Sequence, residues 1–397
     1  MKLAKRLSAV APSATLTLAA MAKEMAAEGK DVVSLTAGEP DFLPPQHVLD
    51  AMKTSIDKGE TQYTAVQGIP ELRKAIAKYS SRGELRYDEN DVVVSTGAKQ
   101  AIYNAVMALI EEGDQAIVIA PYWLSYADMI RLAGGEVVTI ETDERDGFCA
   151  KAEQLASAIT PKTRLLILNS PSNPAGAVYS KEQLLALAAV LRRHPQITII
   201  TDEIYCRVVF EGECATLLQV APDLKDRTLI VDGCSKTYAM TGLRIGWCVG
   251  PKPLISAINK LQSQSTSNAC TPAQRGAVAA LTGDEAALGK MMEAFDARRR
   301  FIVGRLRAIP NVTCFDPKGA FYVFPNLSAF VGRQLPDGSQ IDDAFSICGH
   351  LLHDYGLVVV PGGPFGAKNH VRLSFATDMD TIARGLDRMR DALNNLR

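Results

Sequence analysis

The feature that most constrains this chain is the alternation of short apolar runs with longer amphipathic ones between residues 92 and 250. Seven runs read as strands: Val92–Ser95, Ala116–Ala120, Glu136–Glu141, Arg164–Asn169, Ile197–Asp202, Thr228–Asp232 and Ile245–Gly250. Between several of them lie stretches with helical spacing, such as Ala98–Ile110, Trp123–Ala133 and Lys181–Arg193. Apolar strands that alternate with helices make βαβ units, so the class is α/β, with a mostly parallel seven-stranded sheet covered by helices on both faces. After about residue 285 the texture changes to a charged helix (Glu293–Ala308), shorter strands and a C-terminal helix from Thr381. A smaller α+β unit is expected there, joined by a helix read over residues 12–29. The expected division is a large unit of 45–290 and a small one of 1–44 with 291–397, which suits a length of 397. The polar stretch Gly332–Asp343 reads as a surface loop.

Charge excludes some partners. There are 43 Lys and Arg against 44 Asp and Glu, so no bulk field advertises nucleic acid or a membrane surface. The eight cysteines, at 149, 206, 214, 234, 248, 270, 314 and 348, form no C-x-x-C pair. They are expected to be single, small buried hydrophobes in a reducing cytosol. Met1–Arg6 is basic, but Pro12, Ser13, Thr15 and Thr17 break the apolar core a signal peptide needs. No run approaches the length of a membrane span, and the cytoplasm is the expected location.

In doubly wound sheets, ligands bind beyond the carboxyl ends of the strands. Polar residues stand at those ends: Gly97, Asn169–Asn173, Asp202 and Lys236. No G-x-G-x-x-G follows the first strand and no G-x-x-x-x-G-K-[ST] occurs, so a nicotinamide dehydrogenase and a P-loop enzyme lose their main support. G-x-S-x-G is absent too. His350 and His353 lack a third ligand and read as an ordinary helix face, so no metal is expected.

Distinctive strings remain. In order they are TAGEPDF (Thr36–Phe42), QYTAVQGIPELR (Gln62–Arg73), STGAKQA (Ser95–Ala101), APYWLSY (Ala120–Tyr126), NSPSNPAG (Asn169–Gly176), TDEIY (Thr201–Tyr205), SKTYAMTGLRIG (Ser235–Gly246) and HVRLSFAT (His370–Thr377). Together they resemble the class-I pyridoxal-phosphate aminotransferases of fold type I. The likeness is greatest to the bacterial aspartate aminotransferase subgroup Ib, some members of which also act on prephenate. It runs from about Ala11 to the C-terminus, which leaves no room for the winged-helix segment of an aminotransferase-like transcription regulator.

The resemblance implies roles that the chemistry supports. Lys236 would be the amine that forms a Schiff base with the cofactor aldehyde and then moves the substrate's α-proton. Asp202 would hold a proton on the ring nitrogen, because an adjacent carboxylate favours the cation. Asn173 and Tyr205 would bond the ring oxygen, and Trp123 would stack on the ring. Gly97, Ala98 and Lys99 open a helix after a strand, where amides and dipole hold an anion. Arg244 would grip the phosphate, aided by Ser235 and by Tyr63 of a neighbouring subunit in a homodimer with shared sites. Arg372 would take the α-carboxylate bidentately, beside the backbone of Gly38. Lys99 and Thr15 would meet a distal carboxylate, which favours aspartate, glutamate or the arogenate/prephenate pair as substrates. Ala175, Leu243 and Cys206-Arg207 depart from the usual pattern. They leave an aromatic or alanine-type aminotransferase, or a β-lyase, as the alternative.

Overall fold

The computed structural model describes residues 1–10 and 14–397, the side chains of Ala14, Thr15, Leu16 and Ala19 excepted. A short strand β1 (Val33–Ser34) precedes seven longer ones: β2 (Val92–Thr96), β3 (Gln115–Ala120), β4 (Glu136–Glu141), β5 (Thr163–Asn169), β6 (Thr198–Asp202), β7 (Thr228–Gly233) and β8 (Ile245–Val249). All seven expected strands are present, each within two residues of its sequence-read ends. They form one sheet in the order β2-β8-β7-β6-β5-β3-β4. Every pair from β4 across to β7 is parallel, whereas β8 runs antiparallel to both β7 and β2. The start of β8 therefore lies at the rim where its neighbours end.

Side chains alternate across this sheet as strand geometry requires. Val92, Val94, Ile117, Leu166 and Ile199 join one core, while Val93, Ala116, Val118, Leu165 and Ile200 join another on the opposite face. Helices cover both faces. One of them, Lys181–Arg192, begins with a capping box in which Ser180 Oγ accepts from Gln183 N at 3.2 Å and Gln183 Oε1 accepts from Ser180 N at 2.9 Å.

A separate core gathers the C-terminal third of the chain around Phe295, Phe321, Tyr322, Leu351, Leu373 and Phe375, with Val33 and Leu35 from the N-terminal side. Its long helix, Ala286–Arg307, starts seven residues earlier than the charged stretch suggested. Its strands are β9 (Tyr322–Val323), β10 (Leu357–Val358), β11 (Val360–Pro361) and β12 (Val371–Ser374). β1 pairs in parallel with β10, and β12 lies between β11 and β9. The helix Ala14–Ala27 places Ala22 against Leu352 and Val358. The closing helix, Met379–Asn394, is capped by Asp378, whose Oδ1 accepts from Thr381 N at 2.8 Å.

The cysteines depart from expectation. Cys206 and Cys214 are joined as a disulfide across an eight-residue separation, and they sit 5.3 Å apart at Cα. Sequence spacing did not reveal the pair, because the turn that folds 206–214 back on itself carries no cysteine motif. Five of the remaining six are buried as expected, and Cys270 is exposed.

Candidate active site

The carboxyl ends of β2, β5, β6 and β7 and the amino end of β8 share one rim of the sheet, facing Tyr322 and Arg372 from the C-terminal core. A cleft of about 410 Å³ lies between them. Eleven of the sequence-read residues line it: Gly38, Ala98, Lys99, Trp123, Asn173, Asp202, Tyr205, Ser235, Lys236, Arg244 and Arg372. Gly97 lies just beneath, behind Arg244. Tyr63 stands apart, 93% exposed. The side chain of Thr15 falls outside the described residues.

Asp202 closes β6 at the floor of the cleft and is buried. Its Oδ2 accepts from Tyr126 Oη at 2.5 Å and its Oδ1 from Ile204 N at 3.2 Å. Burial pushes its pKa up to about 6, against the pull of those hydrogen bonds and of Lys236. Asn169, its register partner on β5, donates Nδ2 to Asp202 O at 2.9 Å and accepts from Asn173 N at 3.0 Å. One side chain thus fixes both strand ends.

Lys236 rides on the one-turn helix Cys234–Thr237 that follows β7. Its ammonium donates to Gly38 O. Burial pushes its pKa down to about 8; Glu39 resists, and Arg244 and Arg372 reinforce the fall. An amine with that balance keeps a usable neutral fraction near neutral pH.

The helix start beside Arg244 depends on missing side chains. Gly97 adopts φ 82°, and a Cβ there would collide with Arg244 Nη2. Gly246 on β8 faces Ala98 N so closely that any Cβ would strike it. These two glycines let the helix Ala98–Leu109 start against the sheet with its first amides unpaired. Arg244 is itself at φ 55°, an uncommon conformation for a residue with a side chain. Its Nη1 donates to Thr241 O at 2.7 Å, and it has no ion-pair partner among the described residues.

Opposite, Arg372 on β12 is buried, with Nη1 on Asn173 Oδ1 at 3.1 Å and Nη2 on Thr36 O at 3.0 Å. Its Nε is buried with no partner. The Lys99 ammonium lies 4.9 Å from the centre of the Trp123 ring, and Trp123 in turn meets Tyr126 edge-on at 5.3 Å.

A profile of the family described as aminotransferase class I and II matches residues 30–389. The chain belongs to that family. The aminotransferase is 45% identical over 389 residues, 98% of its length and 97% of the relative's, to an aspartate/prephenate aminotransferase of Cereibacter sphaeroides. Its fold matches the aspartate aminotransferase of Rhizobium meliloti with a TM-score of 0.96 at 42% identity, over 100% of both chains. It also matches the Thermus thermophilus aspartate aminotransferase solved with maleate, with a TM-score of 0.92 at 40% identity, over 99% of this chain and 100% of that one.

Pyridoxal phosphate is the cofactor of this family, and the residues of the aminotransferase suit it. The cleft joins a depressed lysine amine, a buried carboxylate on the floor, a glycine-shaped helix start beside an unpaired arginine, and an arginine with an orphaned Nε.

Sequence reading missed several groups. Tyr126 lies in the quoted string APYWLSY, and only its contact with Asp202 gives it a role. Tyr322 hides in the apolar run AFYVFP, which reads as a strand. Asn169 stands at the polar end of the Arg164–Asn169 run, where sequence reading assigns its side chain no role. Thr241 Oγ1 donates to Glu39 Oε2 at 2.6 Å, a contact between segments about 200 residues apart that local pattern cannot show. Of the H-x-x-H motif, His350 is buried with Nδ1 2.6 Å from Asp354 Oδ2.

Proposed function

We propose that this aminotransferase exchanges the α-amino group between an acidic amino acid, aspartate or glutamate, and a 2-oxo acid, in two half-reactions at one site. One observation carries the choice of a dicarboxylic substrate. Two cations, Lys99 and Arg372, face the same cleft, and neither has an ion-pair partner among the described residues. A monocarboxylic substrate would leave one of them uncompensated. The names of the relatives, and the maleate in one solved relative, support the same choice. Prephenate, also a dicarboxylate, fits that rule as an acceptor.

When bound, pyridoxal phosphate supplies an aldehyde that takes up an amino group and a ring that draws electrons from the substrate's Cα. The chain's own groups do the rest. Arg372 orients the substrate through its carboxylate in planar, paired hydrogen bonds. The Lys236 amine takes the proton from Cα. Asp202 stays ionised at neutral pH and favours a proton on the ring nitrogen. Asn173 and Tyr205 offer hydrogen bonds to the ring oxygen, and Trp123 offers its face to the ring. Gly97, Ala98, Ser235 and Arg244 hold the phosphate. Thr15 and Lys99 are assigned to the distal carboxylate.

We further read the active form as a homodimer in which Tyr63 reaches the partner's phosphate site. Its almost complete exposure in the single chain supports this. The division into 45–290 and 1–44 with 291–397 is retained as a proposal, supported by the separate cores. No described helix is long and apolar enough to cross a membrane, and the cytoplasm remains the proposed location.

The decisive experiment presents the yellow holoenzyme with single amino acids and follows the cofactor absorbance. L-aspartate and L-glutamate are expected to bleach it fastest. Faster bleaching by alanine or an aromatic amino acid, or ammonia release in place of amino transfer, would overturn the assignment. Oxaloacetate and prephenate are then compared as acceptors.

A further inference from the structure

Tyr322 lies on β9, fully buried, and its hydroxyl is 3.0 Å from that of Tyr205. Neither phenol has another side-chain hydrogen bond among the described residues. The Arg372 guanidinium sits over the Tyr322 ring, 4.6 Å from its centre. A Cβ on Gly38 would come within 3.7 Å of the Tyr322 hydroxyl, and Gly38 O is the acceptor of Lys236 Nζ. One aromatic ring from the C-terminal core therefore touches the carboxylate arginine with its face and the ring-oxygen tyrosine with its hydroxyl.

Two phenols that share one hydrogen bond have two arrangements. If Tyr322 donates, Tyr205 keeps its own proton to give to a third group. If Tyr205 donates, it has none left. A cation against a phenol makes that phenol the more acidic and the better donor. Arg372 leans on both phenols, but its ring-face contact is with Tyr322. The other charged groups facing the pair are Asp202 on the Tyr205 side, Glu39 on the Tyr322 side and Lys236 across the cleft.

We propose that Tyr322 is a positioning residue that couples carboxylate capture at Arg372 to the hydrogen bond Tyr205 offers the cofactor. With Arg372 uncompensated, Tyr322 donates to Tyr205 and leaves the Tyr205 proton free for the ring oxygen. A carboxylate on Arg372 weakens that bias. The inference rests on the aminotransferase reading of this cleft, which assigns Tyr205 to the ring oxygen.

The test uses holoenzyme and the pH titration of the cofactor's absorbance band, with and without maleate. In Tyr322→Phe the ring remains over Arg372 while the donor is lost. The band midpoint is expected to rise by about 0.2 pH unit, because Tyr205 still donates to the ring oxygen but loses the neighbouring hydrogen bond that strengthens its own by roughly a fifth. Maleate is expected to move the variant's midpoint less than it moves the wild type's, with its Kd at saturating cofactor changed less than twofold. Tyr205→Phe and the double variant complete the cycle. The double variant leaves no hydroxyl orphaned, which guards against misfolding of the single one, and is expected to titrate like Tyr205→Phe alone. A Tyr322→Phe band that titrates as wild type, an unchanged response to maleate, or additive effects in the double variant would overturn the proposal. Failure of the aminotransferase reading looks different, because wild-type protein would then not respond to amino acids at all.

Discussion

The Tyr126 hydroxyl donates to Asp202 Oδ2 at 2.5 Å, and both groups are buried. Burial alone would carry the Asp202 carboxyl above its pKa of about 6, so this hydrogen bond helps keep it ionised. Tyr126→Phe is expected to raise the Asp202 pKa, move the acid limb of the kcat profile to higher pH and lower kcat about tenfold at pH 7, as for one hydrogen bond to a charged group. An unchanged acid limb in the pH–rate profile would show that Tyr126 only fills space.

Lys236 is held to a pKa of about 8 by burial, and Glu39 is the strongest of the charges that oppose the fall. Removing that charge lowers the pKa further. In cofactor-free protein, acylation of Lys236 by an amine reagent, read peptide by peptide across pH, is expected to show a midpoint near 8 in the wild type and a lower one in Glu39→Gln. A wild-type midpoint above about 10, where free lysine titrates, would contradict the described environment.

Three adjoining carboxyls shape stability. Burial pushes Asp232 to about 8, Glu203 to about 7 and Asp202 to about 6. Each holds its proton to higher pH in the folded chain than in the unfolded one. Their contribution to stability is therefore full below the ordinary carboxylate range and is lost as pH rises through the folded values. Asp232→Asn, which can still accept from Gly233 N, is expected to stabilise the protein at pH 8 by up to about 5 kcal/mol and to flatten the loss of stability above pH 5. Denaturant midpoints from pH 5 to 8 check both. A steeper slope in the variant would refute the assignment.

The shared-site reading of Tyr63 is open to complementation. Lys236→Ala and Tyr63→Ala chains, each impaired alone, are mixed under conditions that exchange subunits. Half the dimers should be hybrids with one intact site, so activity should recover to about a quarter of wild type. No recovery after verified exchange would place Tyr63 outside the partner's site.

Much of this was legible in the sequence because it is local. The β6 run ends in Asp202 and the β7 run leads into Lys236, and strand ends in an α/β sheet meet at one rim wherever the strands are parallel. Composition said nothing of the cleft, since its cations are averaged away over the whole surface. What stayed hidden depends on distance. Tyr126 reaches Asp202 across 76 positions and Tyr322 reaches Tyr205 across 117; such pairs are set by packing. The Cys206–Cys214 bond is close in sequence, yet it needs a bend that no turn signature announces.

The antiparallel direction of β8 has a consequence for how this protein can be altered. Lys236 and Arg244 stand on one short connection between neighbouring strands, so the group assigned to bond the cofactor and the group assigned to its phosphate form a single module. Arg372, Tyr322 and Lys99 come from other parts of the chain. A laboratory redesign of substrate choice can therefore vary the Arg372 and Lys99 side chains while the connection that carries Lys236 and Arg244 is inherited intact.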